Sequence, residues 1–277
     1  MVGEVGLRFW AMFVGTASPE ISLNGGDVTE GVVRVGDTVR RPMSASSPAV
    51  HALLEHLEAV GFEGAPRVLG IDERGRQILS YVPGSAATRP LQPHAVSDEA
   101  LVDLAVLVRR FHDAAESFVS PRDAVWEGGS ADDAAPELIG HCDITPENVI
   151  FRGKRPVALI DFDLARPTTR LFDVVTALRH WAPIADPLDR DPLQCDLDVG
   201  ARLRLFCDAY GFGARDRRRL LEVSRLRFDR SYVAMRTRAM TKGGGWARMW
   251  EGGAGERIRR ASAWLDTHWD DLDAHLH

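Results

Sequence analysis

A carboxylate, Asp143, stands five residues before an amide, Asn148, in the run His141-Cys142-Asp143-Ile144-Thr145-Pro146-Glu147-Asn148. A second carboxylate, Asp161, closes the apolar run Ala158-Leu159-Ile160 thirteen residues further on and is followed by Phe162 and Asp163. Two acids and an amide oxygen in this pattern are the equipment of phosphoryl transfer. One carboxylate receives or orients the proton of an attacking hydroxyl. The other carboxylate and the amide oxygen are hard ligands, suited to Mg²⁺ held against nucleotide phosphates. Such groups work when loops on a rigid scaffold place them.

The scaffold is legible around them. Residues 20–42 read as hairpins: 20–23 alternate, Asn24-Gly25-Gly26-Asp27 is a turn, 31–35 are β-rich, Gly36-Asp37 is a tight turn, and 38–41 return to Pro42. Ser46-Ser47-Pro48 opens a helix with Val50, Leu53, Leu54 and Leu57 on one face, and Gly61 closes it. Two strands follow, 67–71 and 77–82, and Pro83-Gly84 breaks the pattern. Residues 85–96 read as a Pro/Ala/Ser-rich connector. Ser97 caps a helix to about 118, a loop rich in Gly, Asp and Ala covers 128–136, and two short β pieces, 149–151 and 157–160, flank Arg152-Gly153-Lys154. Helices are expected over 171–181, 197–210, 215–241 and 255–276, with no internal repeat. The expected fold is α+β and bilobal, with residues 1–84 as a β-rich nucleotide-binding lobe and 85–277 as a helical lobe carrying the catalytic loop and acceptor site.

The chain has 277 residues, a 45% hydrophobic content and a net charge of -6, enough for two lobes with real cores. No apolar run is long enough to span a membrane. Residues 7–14 are apolar, but Glu4 and Arg8 and the lack of a basic start argue against a signal peptide. The three cysteines, Cys142, Cys195 and Cys207, form no CxxC pair, so a reduced cytoplasm is expected. Residues 201–260 hold 16 Lys+Arg against 6 Asp+Glu, a net of +10, interleaved with apolar residues and without an RNA-binding signature. A solvated helix face is the ordinary reading, and nucleic acid is not an expected partner.

The H-x-D-x-x-x-x-N and D-F-x pair over 141–163, with an upstream sheet and a helical remainder, resembles the aminoglycoside phosphotransferase family, the small-molecule branch of the protein-kinase-like fold. The resemblance runs from about residue 20 to 180 and is sharpest over 139–181. It implies ATP or GTP between the lobes and a hydroxylated acceptor held by C-terminal helices. By it Asp143 is the base, Asn148 and Asp161 bind Mg²⁺, His141 is a structural loop residue, and Asp173 steadies the loop. The nucleotide pocket follows by position: Gly25 and Gly26 approach phosphate or simply make a tight turn, Ser80 to Val82 form the hinge, and Ile150 and Ile160 form its floor, core, or both. The strand lysine of kinases is absent. Arg41, in Val39-Arg40-Arg41-Pro42, either replaces it at the phosphates or sits on a solvated strand edge. No acid occupies the expected partner position near Val50 or His51. Asp163 adds a metal or water contact or caps the next turn.

Relatives of this subtype carry names tied to antibiotic or peptide-toxin immunity, so an antibiotic, nucleoside-type or aminoglycoside, is the implied acceptor. The net +10 of the acceptor-side helices points toward a neutral or anionic one. A metabolic alcohol kinase of choline, homoserine or fructosamine type, and a non-catalytic immunity protein on a kinase-like scaffold, are the alternatives. His112 and Trp181 read as core; Trp246 and Trp250 read as packing or as a wall of the acceptor site.

Overall fold

Tight glycine turns and β-branched runs produce the strands where the pattern expects them. A computed structural model describes residues 19–23 and 31–277; the Gly25-Gly26 turn and the apolar run over 7–14 lie outside the described residues. Strands β1 (Ile21–Ser22), β2 (Val33–Val35) and β3 (Thr38–Arg41) precede helix α1 (Ser47–Ala59). Strands β4 (Val68–Ile71) and β5 (Gln77–Ser80) follow it. The five form one antiparallel sheet in the order β1-β2-β3-β5-β4. Gly36 makes the β2–β3 turn with φ 59, a conformation that costs glycine nothing. Ser46 precedes α1 as expected, but its side chain caps nothing; the Ser47 hydroxyl accepts instead from the Ser44 amide at 2.9 Å.

The connector has more order than its composition suggests. It contains β6 (Ser85–Ala86), which pairs with β8 (Val149–Arg152), and a 3₁₀ turn, Pro93–Val96. Helix α2 (Asp98–Ala115) is capped by Ser97, whose hydroxyl accepts from the Ala100 amide, and ends three residues before the expected 118. Strand β7 (Leu138–Gly140) leads into the candidate loop; β8 and β9 (Arg155–Leu159) form the hairpin around Gly153; β10 (Arg166–Thr168) returns to pair with β7. Strands β7 and β10 escape sequence reading because each is three residues long and one contains Pro167.

Helices α3 (Arg170–Trp181), α4 (Val199–Tyr210), α5 (Ala214–Lys242), α6 (Gly244–Glu251), α7 (Ala254–Thr267) and α8 (Trp269–Leu276) complete the chain. The expected single helix over 255–276 is two. His268 lies between them, with its amide and its Nδ1 both meeting the Trp264 carbonyl oxygen, at 3.1 and 2.8 Å. Helix α6 was hidden in the sequence by the glycines around it; Gly243 (φ 63) and Gly253 (φ 85) reverse the chain at its ends. Among the described residues no helix is long and apolar enough to cross a membrane, and Cys142, Cys195 and Cys207 are unpaired.

One apolar core runs from α1 through α2 to α8. Phe111 of α2 is fully buried and meets Phe62, after α1, at 6.0 Å between ring centroids, and Phe162, in the turn after β9, at 5.7 Å. It therefore ties the sheet-side helix to the turn that follows Asp161. Phe111→Ala is expected to lower unfolding free energy by about 3–5 kcal/mol, read from denaturant midpoints. A loss below about 1 kcal/mol would show that the two sides are not packed through this ring.

Candidate active site

The candidate loop, 141–148, is built on a buried carboxylate. Asp173 lies in the first turn of α3, whose N-cap Thr169 accepts from the Phe172 amide. It is fully buried. Its Oδ2 accepts from the His141 amide (2.8 Å) and its Oδ1 from the Cys142 amide (2.7 Å). His112 Nε2 stands 3.0 Å from Oδ2, and His112 Nδ1 2.7 Å from the Tyr210 hydroxyl of α4. Burial alone would raise this carboxyl, but the His112 hydrogen bond, backed by the charges and amides around it, holds it below its ordinary range. His112 is thus a core residue, as its place in α2 implied. The clamp leaves no room beside it: a Cβ on Gly140 would stand 2.4 Å from the Thr168 methyl and 2.8 Å from Asp173 Oδ2.

The clamped loop is strained. Cys142 has φ 60, a left-handed conformation that non-glycine residues adopt at a cost of about 1–3 kcal/mol. Burial pushes its thiol up to about 12, so it stays protonated and is no nucleophile. His141 Nε2 meets the Ile160 carbonyl oxygen at 2.9 Å, and its ring packs on Phe162 at 4.5 Å. Desolvation keeps that imidazole below its ordinary pKa and neutral. The bond ties the loop to the strand that delivers Asp161, itself left-handed at φ 63, a conformation aspartate tolerates better than cysteine. The Ile160 amide returns a bond to the Asn148 carbonyl oxygen at 2.9 Å.

These bonds bring the sequence-predicted groups to one cleft of about 720 Å³, lined by Asp143, Asn148, Asp161 and Asp163 among others. Asn148 Nδ2 donates to the Asp143 main-chain oxygen and to Asp143 Oδ2, both at 2.9 Å, which leaves the amide oxygen for another partner. Loss of water and the neighbouring Asp161 carboxylate raise Asp143 to about 7, against the opposing pull of Arg227 and Asn148. Among the described residues no three His, Cys, Asp and Glu side chains form a metal site by themselves. One carboxylate and one amide oxygen are the right chemical type for Mg²⁺ and leave most of its octahedron to phosphates and water, so the residues fit a metal that arrives with a nucleotide.

Arg41 is not on a solvated edge. It is buried, both its terminal nitrogens lie 3.1 Å from Asp161 Oδ1, and it also pairs with Asp163. The helix residue near the position of a kinase glutamate, His51, bonds Gln77 Oε1 at 3.0 Å instead. The strand cation therefore takes its counter-charges from the turn after β9. Asp163 is an ion-pair partner, a role the motif did not suggest.

Ser80 ends β5, Val82 follows it half-buried, Ile150 is buried in β8, and Ile160 is half-buried after β9; none of these four lines the cleft. Two amides of the expected hinge are committed elsewhere, Ser80 to the Arg67 oxygen and Tyr81 to the Asp37 oxygen, both at 2.9 Å. Trp181 is core, with Nε1 donating to the Ile144 oxygen at 3.0 Å. Trp246 lines the cleft, whereas Trp250 packs on Tyr232 at 5.4 Å. Sequence reading missed Arg179, Arg227 and Arg238 as cleft residues. The signal was there: Arg227, Ser231, Ala234, Arg238 and Lys242, spaced four, three, four and four apart, form one face of α5, and all line the cleft.

Asp173→Asn should destabilise the fold by about 3 kcal/mol, because one carbonyl oxygen cannot serve three buried donors and the new NH₂ opposes an N–H. An unchanged urea midpoint would remove the clamp. Acid sensitivity has a defined sign. Below about pH 6.5 the unfolded chain takes a proton at His141 more readily than the folded chain does, so stability decreases as pH falls, by up to about 1.4 kcal/mol per unit. Asp173, depressed when folded, keeps its contribution above about pH 3.9 and loses it only below. Urea midpoints at pH 7, 6 and 5 should therefore fall, and less steeply in His141→Gln; equal slopes would contradict the assignment.

A model of the phosphotransferase enzyme family matches residues 122–221, which hold Asp173, the two amides it binds and both acidic loops. The trifolitoxin immunity protein of Rhizobium leguminosarum bv. trifolii is 35% identical over 208 residues, 72% of this chain and 76% of that protein. A choline/ethanolamine kinase family protein from Mesorhizobium loti superposes with a TM-score of 0.62 at 16% identity, over 96% of this chain and 94% of that one. The GDP complex of aminoglycoside 2'-phosphotransferase-IIIa does so with a TM-score of 0.55 at 15% identity, over 95% and 94%. The structural likenesses establish the bilobal kinase-like α+β fold. With a relative this similar over three quarters of its length and a family model centred on the two loops, the chain belongs to the aminoglycoside phosphotransferase family of phosphotransferase enzymes.

Proposed function

We propose that this protein transfers the γ-phosphoryl group of ATP or GTP, with Mg²⁺, to a hydroxyl of a small molecule, and that the molecule is an antibiotic or toxin against which the reaction protects. The observation that carries this reading is the gathering of Asp143, Asn148 and Asp161 at one cleft, with Asn148 bonded to the Asp143 carboxylate and Asp161 close enough to raise it. The relative named for trifolitoxin immunity supports the protective role.

In this reading residues 1–84 form the nucleotide lobe and 85–277 the catalytic and acceptor lobe. Gly25, Gly26 and Arg41 approach the phosphates, Ser80 and Val82 edge the base, and Ile150 and Ile160 lie beneath it. Asn148 and Asp161 hold the metal; the chemistry that bound Mg²⁺ supplies is neutralisation of charge on the transferring phosphates. Arg41 grips Asp161 through Oδ1, which leaves Oδ2 as the oxygen able to turn to a cation. Asp143, oriented by Asn148, takes the acceptor's proton. The acceptor oxygen then bonds to the γ-phosphorus as the bond from that phosphorus to the β–γ bridging oxygen breaks, and the nucleoside diphosphate leaves with those electrons. A carboxyl raised to about 7 is better matched to proton transfer near neutrality than an ordinary one.

One observation favours a second reading, a binder on a kinase scaffold: Arg41 engages the carboxylates that the metal side would need. Thermal melts separate the two. Mg²⁺ with ATP or GTP is expected to raise the melting temperature of the wild type, and Asp161→Ala to abolish the rise; no rise with either nucleotide would leave the binder. Asp143→Ala should retain the rise while transfer falls by at least about a hundredfold. Full turnover in that variant would reassign the base. A mass-spectrometric screen over aminoglycosides, nucleoside antibiotics and small alcohols would identify the acceptor.

A further inference from the structure

The cleft carries charges of both signs. Asp143, Glu147, Asp161 and Asp163 line it. A wall of arginines lines it too: α3, α5 and α7 contribute Arg179, Arg227 and Arg257, and Arg89 joins from the connector. The acids on that wall are already taken, Asp189 by Arg260 and Glu127 by Arg238 and Lys242. Among the described residues none of the four arginines has a carboxylate within ion-pair distance. Arg227 spends its Nε on the Thr176 hydroxyl at 2.9 Å, and Arg179 lies over the Phe228 ring at 5.4 Å, which orients its guanidinium without neutralising it.

Arg227 and Arg179 are pressed by their neighbours. Burial, with Arg166 and Arg179 nearby, lowers Arg227 to about 10; burial, with Arg257 and Arg89 nearby and Asp189 opposing, lowers Arg179 to about 10. Both stay charged at neutral pH. Gathering like charges in a partly dry wall is unfavourable unless an anion completes it. Arg227 also interacts with Asp143, so this wall lies beside the proposed base. A polycation would meet repulsion here.

We propose that the acceptor bears an oxyanion, a carboxylate or a phosphate, that seats between Arg179 and Arg227 and so presents a neighbouring hydroxyl to Asp143; the inference rests on the transfer reading above. Guanidinium groups bind such anions through paired N–H bonds, which fix direction as well as charge.

The test uses one sugar ring with four substituents. The full chain is saturated with Mg²⁺ and a non-hydrolysable ATP or GTP analogue, then titrated with glucuronate, glucose 6-phosphate, glucose and glucosamine, followed by tryptophan fluorescence. At least one of the two anions is expected to bind about tenfold or more tighter than glucose, with glucosamine weakest, and the better anion distinguishes carboxylate from phosphate. Arg179→Gln and Arg227→Gln should erase that preference while keeping the thermal shift given by the nucleotide, which also shows that they fold. Equal responses from the four sugars, including none from any, overturn the proposal. So do arginine variants that lose the nucleotide shift, since the arginines would then serve the triphosphate. If the wild type itself shows no nucleotide shift, it is the transfer reading that fails, a different result from a nucleotide-loaded protein indifferent to anions.

Discussion

Everything at the cleft hangs on the Asp173 carboxylate and the N–H groups that fill it. A buried carboxylate without partners would be costly or would take up a proton. Here two consecutive loop amides and an imidazole satisfy it, and each bond fixes a different element: the loop through His141 and Cys142, α2 through His112, and by way of Tyr210 the end of α4. The left-handed backbone at Cys142 persists because this carboxylate holds the two consecutive amides that lead into the bend. Gly140 must be glycine for the same reason, since the carboxylate and the Thr168 methyl occupy the space a side chain would need. With the bend fixed, the remaining loop bonds follow locally, from Thr145 to the Asp143 oxygen and from Asn148 to the Thr145 oxygen.

The second organising fact is how charge is partitioned along the cleft. Three carboxylates close together would repel, and the fold relieves this by placing the Arg41 guanidinium between Asp161 and Asp163 and by leaving Asp143 with a raised affinity for protons. Among the arginines of the lining, Arg179 and Arg227 repel one another, and Arg257 and Arg89 add to the repulsion on Arg179. The two sets of charges influence each other through Asp143 and Arg227, each of which shifts the other's proton affinity. The proton affinity of Asp143 is thus set partly by a guanidinium carried on α5.

Motif reading located Asp143, Asn148 and Asp161 because their spacing is local and belongs to one loop and one strand end. The early strands and α1 were legible from period-two alternation, Gly turns and the Ser-Ser-Pro start. The pairing of β7 with β10 was not, because a three-residue strand is made by its partner rather than by its own propensity. The cleft face of α5 was visible as a helical stripe, Arg227 to Lys242, yet its basic residues read equally well as a solvated face.

The order of residues along the chain was enough to point to the family, to the acids and amide that meet at one cleft, and to the kinase-like succession of sheet and helices. Such features depend on neighbours a few residues apart. Where Arg41 finds its counter-charges, which helix lines the cleft with arginines, and which carboxylate His112 meets were decided by folding. Those contacts join residues 120, 84 and 61 positions apart, such as Arg41 to Asp161, Asp143 to Arg227 and His112 to Asp173, and separation of that size leaves no periodic trace in a sequence.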